Sequence, residues 1–173
     1  MKHPLEFLPQ PLRKPFFILF LGLTVVIFGI FAVLEKPMQP NGIVPFEVAG
    51  SVERSQAILD SWDENARLIV AFGLGFDYLF MPVYALALSL GLLLAGHEKP
   101  SRFHAVTVWL GWGALFAALF DAVENYALMK ILVEGSAVVP LPQIAAVCAT
   151  IKFVLFILSA ALGLIGLAVP KNK

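Results

Sequence analysis

Phe16–Leu34 reads FFILFLGLTVVIFGIFAVL, with no charged residue in it. A bilayer core about 30 Å thick takes roughly 20 apolar residues in helical form, and this stretch is long enough. It exceeds the roughly 7–15 residues of a signal-peptide core, and Glu35-Lys36-Pro37 offers no small-residue cleavage site, so a retained helix is expected. Three further stretches, about 68–95, 103–133 and 144–169, are also apolar and long. They leave an outer loop at 35–67. The whole chain agrees: of 173 residues, 60% are hydrophobic and 14% charged, with mean hydropathy +0.87. An average soluble domain is about 45–50% apolar and about 25% charged, and a chain this short cannot bury the excess in a soluble core. The expected fold is all-α, an integral membrane four-helix bundle forming one domain over 1–173, with a short amphipathic interfacial helix in the first outer loop.

Basic residues orient the spans. Lys2, Arg13, Lys14, Lys99, Arg102, Lys171 and Lys173 fall on one side, and Lys36, Arg54 and Arg67 on the other. Lys/Arg excess marks the cytoplasmic side, so both termini are expected in the cytoplasm. Twelve Lys+Arg balance twelve Asp+Glu, so no basic patch points to nucleic acid. The single cysteine, Cys148, excludes an intramolecular disulfide and a dithiol redox mechanism. Pro82 is expected to kink the second span.

In the loop, Ser51 reads as an N-cap with Glu53 in the first turn of a helix. Ile58, Leu59 and Trp62 share its apolar face, with Trp62 as an interface anchor. Ser61 and Glu64 have the spacing of a capping box for the second span. The segment is either a plain connector or a lid over the bundle mouth.

Charges inside spans are costly and usually face the bundle interior. Asp77, Asp121, Glu124 and Lys152 are such residues, with Asn125 beside them. Counted at 1.5 Å per residue, each lies roughly 12–18 Å from the outer boundary of its span. Gly113, Ala117, Asp121 and Asn125 step by four along the third span, and Glu124 is three residues from Asp121, so small and polar residues share one stripe. Gly73, Asp77, Met81 and Tyr84 form a stripe on the second span, and Cys148, Lys152, Ser159, Gly163 and Gly166 one on the fourth. One carboxylate is expected to pair with Lys152, leaving at least one of the other two protonated or holding a cation or a ligand donor. Tyr78, Tyr84 and Tyr126 are available to satisfy spare lone pairs. Lys130, near the outer end of the third span, is expected to snorkel with Glu134 as partner.

A transition-metal site is not expected, because His3, His97 and His104 all fall on the inner side, away from the acids. Three carboxylates suit a hard cation, but Lys152 among them argues against one, and no cofactor is expected. The cluster reads either as a structural staple joining helices or as a pocket of Asp77, Asp121, Glu124, Asn125, Lys152, Tyr78, Tyr84 and Tyr126 for a lipid-like or small amphiphilic ligand. The alternatives are a membrane enzyme using buried carboxylates for proton transfer, isomerase-like, and a proton-coupled transport element. Four spans without a repeat are small for a transporter, so that role would require a homo-oligomer. Membrane lipids are the expected partners.

The segments Phe46-Glu47-Val48-Ala49-Gly50-Ser51, Phe76-Asp77-Tyr78-Leu79-Phe80 and Asp121-Ala122-Val123-Glu124-Asn125 together resemble an uncharacterised family of small bacterial four-transmembrane-helix proteins. The resemblance implies a bacterial inner membrane and carries no activity or site residues. Sterol-isomerase and sigma-2-receptor-like proteins are similar in architecture alone, with buried acids in a four-span bundle.

Overall fold

The computed structural model describes residues 1–168 apart from Gln39 and Glu98. The expected end of the fourth span at Val169, with Pro170, Lys171 and Lys173, lies outside the described residues. Among the described residues six α-helices follow one another: α1 (Gln10–Leu34), α2 (Ile43–Glu47), α3 (Val52–Ser61), α4 (Glu64–Ala95), α5 (Ser101–Glu134) and α6 (Leu141–Ala168), with a 3-10 turn at Lys36–Met38. No strand occurs among the described residues. Helices α1, α4, α5 and α6 are long and apolar enough to cross a membrane. α1 starts six residues before the expected Phe16: Pro11 lies in its first turn, where an amide proton would have no helical acceptor, and the helix continues through Pro15. α4 runs unbroken through Pro82.

The chain divides into two compact units: Met1–Val25, Pro82–Ala118 and Lys152–Lys173 form one, and Val26–Met81 and Leu119–Ile151 the other. Each long helix therefore contributes residues to both.

The second unit holds the loop helices and the acids. Its core joins Phe46, Leu59 and Trp62 to Val70, Leu74, Leu128 and Ile131, all buried. The cap at Ser51 forms as expected: its side chain accepts from the Arg54 amide at 3.3 Å. Gly50, with φ of 71°, supplies the left-handed turn that separates α2 from α3. Arg67 closes the far end of α3, donating from Nη2 to the Leu59 carbonyl at 2.9 Å and from Nε to the Trp62 carbonyl at 3.3 Å. The Leu59 carbonyl also takes the Trp62 amide at 3.4 Å, so the guanidinium adds a second donor there and reaches the Trp62 carbonyl just beyond the helix end. Gln56 fastens α3 to the chain beyond α5 by accepting from the Ala137 amide at 2.9 Å.

Two local expectations are corrected here. The cap of α4 is Asp63, whose Oδ1 accepts from the Ala66 amide at 2.7 Å. Ser61 instead donates to the Ile58 carbonyl at 2.6 Å, since it still belongs to the last turn of α3. Trp62 is no exposed anchor. It is 4% exposed, edge-on to Phe46 at 5.1 Å, and its indole N–H reaches the Asn41 carbonyl at 2.7 Å. A loop that doubles back toward Trp62 gives the indole acceptors inside the protein, so it has no need of an aqueous interface.

The first unit is held by small residues and hydroxyls. Ser89 Oγ donates to the Gly111 carbonyl at 3.1 Å, and Ser159 Oγ to the Leu110 carbonyl at 3.4 Å, linking α4 and α6 to α5. Gly166 lies where an added Cβ would come within 2.7 Å of Ala95 Cβ and 2.8 Å of the Phe103 ring. Gly91 gives the same kind of room to Phe17 of α1. One face of α1 is bare, with Val25, Val26 and Phe28 each more than half exposed, while Ile27 is buried and the Phe31 ring packs against Phe76 and Phe80. Contiguous apolar surface on that scale requires a non-aqueous neighbour.

Candidate functional site

The acids of α5 sit on its inward stripe. Asp121 is 3% exposed, Glu124 0% and Asn125 1%. Offsets of three and four put them one above another on a single helix face, and Ala117 and Leu128 continue that face in the interior. From α4, half-buried Asp77 meets this stripe: Asn125 donates its amide to Asp77 Oδ2 at 2.8 Å and to the Leu74 carbonyl at 3.2 Å. An N–H to a carboxylate is among the stronger hydrogen bonds, and one amide thus fixes α4 against α5 at the level of the acids. Asp77, Asp121 and Glu124 each make further polar or electrostatic interactions.

The tyrosines divide. Tyr78 lies within electrostatic reach of Asp121 and Asp77, and its hydroxyl donates to the Ala122 carbonyl at 3.2 Å, but its ring is 46% exposed. Tyr126 faces outward, 63% exposed, because the residue after Asn125 falls about 100° round the helix. Tyr84 and Lys152 belong to the first unit. There Tyr84 is 2% exposed and packs edge-on against Phe156 at 5.5 Å. Lys152 is 7% exposed, with Nζ 4.8 Å from the centroid of the Phe153 ring, a geometry in which the ring face attracts the ammonium. Lys130 and Glu134 pair at 3.8 Å as expected, both half exposed. Among the described residues, no three His, Cys, Asp or Glu side chains come together in an arrangement that could hold a metal ion.

The first unit contains a group that sequence reasoning passed over. His3 is 4% exposed and occupies the space left by the missing side chain of Gly111, where any Cβ would overlap its ring. Its Nδ1 accepts from the Leu5 amide at 3.2 Å. Nε2 has no well-formed hydrogen bond among the described residues. Burial pushes the imidazole down from 6.5 to about 4; His104 and Arg13 press the same way, while Glu6 and the Ser89 backbone oppose them. Trp112 secures the same segment, its indole N–H donating to the Lys2 carbonyl at 3.1 Å. No local pattern marks this, since a lone histidine and a lone glycine about a hundred residues apart carry no periodicity.

No protein-family model, curated protein or solved structure matches this chain. The roles of these residues therefore rest on their chemistry.

Proposed function

We propose that this chain is an integral membrane protein of four spans, with both ends in the cytoplasm, whose acidic cluster on α4 and α5 holds the polar group of a lipid-like or small amphiphilic ligand. The inner membrane of a bacterium is the proposed setting, and α3 is proposed to lie at its outer interface. The observation that carries the ligand reading is the cluster itself. Asp121 and Glu124 are buried within one turn, and Asp77 is drawn to them through Asn125. Carboxylates gathered in a low-dielectric interior repel one another unless protonated or offset by donors. A ligand with an ammonium, amide or hydroxyl headgroup supplies such donors, and its apolar remainder is at home among helices.

The test is native mass spectrometry of the full-length protein extracted from membranes. A small amphiphile that copurifies with the parent and is lost in Asp121→Asn/Glu124→Gln, with the ligand-free melting temperature kept, supports the reading. Identical adducts on parent and variant overturn it. Reporter fusions at both termini test the orientation, and activity on the periplasmic side would reverse it.

A further inference from the structure

The first unit carries a cleft of about 490 Å³ lined by the first turns of α1, the end of α4 and the end of α6. Its lining is divided. Arg13 and Lys14 make one part basic, with Gln10 and His97 beside them. Phe17, Leu94 and Leu167 make the other part apolar. No carboxylate is found among its described lining residues.

Arg13 is already oriented. Its Nε donates to the Leu8 carbonyl at 2.9 Å and its Nη2 to the Glu6 carbonyl at 3.0 Å. A guanidinium has five N–H donors, so three are left for an oxygen-rich anion. Lys14 is exposed and makes no hydrogen bond or ion pair among the described residues. Gln10 and His97 approach each other at 3.5 Å on the same rim. Two adjacent cations, neither in a salt bridge among the described residues, thus border one concavity.

The apolar part decides what kind of anion fits. Phe17 is one turn beyond Arg13, roughly 6 Å along the helix, at the start of the long uncharged run of α1. A group anchored at Arg13 and Lys14 therefore has hydrocarbon surface directly beneath it. A free inorganic anion would use the cations and leave Phe17, Leu94 and Leu167 uncovered; a phosphodiester bearing an acyl chain covers both. Guanidinium binds phosphate through paired donors, and basic pockets among membrane helices suit anionic headgroups.

We propose that this cleft binds an anionic phospholipid, with its phosphodiester on Arg13 and Lys14 and an acyl chain along Phe17, Leu94 and Leu167. The site is separate in residues and in charge from the acidic cluster. The proposal rests on the helices crossing a bilayer and is independent of any ligand at the acids.

Native mass spectrometry of the full-length protein in neutral detergent tests it, with dioleoyl phosphatidylglycerol, dioleoyl phosphatidylcholine and inorganic phosphate as probes. The anionic lipid should bind about tenfold more tightly than the zwitterionic one, from two cations at the surface. Arg13→Gln/Lys14→Gln should reduce that preference to under about twofold, with the melting temperature in phosphatidylcholine unchanged. Lys14→Gln alone leaves the Arg13 bonds in place and should cost about three- to fivefold, which covers a double variant that fails to fold. Lys36→Gln, in the other unit, should change nothing. Equal retention of the two lipids, or a preference that survives the loss of Lys14 undiminished, overturns the proposal. Inorganic phosphate that displaces phosphatidylglycerol at comparable concentration would show a soluble anion instead, and the lipid assignment falls.

Discussion

Acidification from about pH 7.5 to about pH 4.5 is expected to release residues 1–9 from the first unit, with His3 as the trigger. The docked imidazole is held near 4, against its ordinary 6.5. Once released, the ring takes up a proton below about 6.5. Protons therefore favour the released state inside that window. Docking is at full strength above about 6.5, weakens as pH falls toward 4, and loses nothing more below it. Each pH unit in the window is worth about 1.4 kcal/mol. The full loss is about 2–3 kcal/mol once solvent at the edge of the ring is allowed for. That is a factor of roughly 30 to 150 in the docking equilibrium, enough to open a short terminal segment without unfolding the helices. Hydrogen exchange reads it directly. The Leu5 amide is held by His3 Nδ1 and the Glu6 amide by the His3 carbonyl, so both should lose protection together. Trp112 emission should shift in parallel, since its indole is bonded to the Lys2 carbonyl. His3→Gln cannot take up the proton and should show a flat profile across the window. If His3→Gln follows the parent's curve, or if both amides stay protected at about pH 4.5, the reasoning is refuted.

Three further outcomes follow from packing and hydrogen bonding. Gly166→Ala should lower stability in detergent by about 1–3 kcal/mol, because its new Cβ meets Ala95 and Phe103. Gly163→Ala, with nothing within 4 Å, should be near neutral, and thermal unfolding of the pair separates steric cost from helix propensity. Asn125→Leu removes the bonds to Asp77 and the Leu74 carbonyl and should cost about 1 kcal/mol in the same assay; no change would mean that the amide is not what joins α4 to α5. Trp62→Phe keeps the ring against Phe46 but loses the N–H bond to Asn41, for an expected loss of about 1 kcal/mol measured by denaturant-dependent unfolding.

The long helices were legible because their signal is composition sustained over many residues, and α3 because Ser51 and the Leu59 face are local patterns. The inward stripe of Asp121, Glu124 and Asn125 was readable for the same reason: offsets of three and four decide a helix face without tertiary knowledge. What failed to show was set by partners distant in the chain. Trp62 reads in the sequence as an interface residue, and the Asn41 carbonyl, 21 positions away, gives its N–H an interior acceptor. Ser61 and Asp63 are both competent caps, and only where α3 ends decides between them. Tyr126 is chemically suitable yet turned the wrong way, a matter of one residue of helical rotation. Arg13 and Lys14 counted in the sequence only as markers of orientation; that they border a concavity depends on α4 and α6.

The notch at Gly111 also imposes an order on biosynthesis. His3 cannot reach its resting place until α5 has been made, and Lys2 and Trp112 are 110 positions apart. At translation rates of about 5–20 residues per second, that is a wait of roughly 5–20 s. Docking of the segment can therefore only follow the synthesis of α5, because the notch it fills does not exist before then.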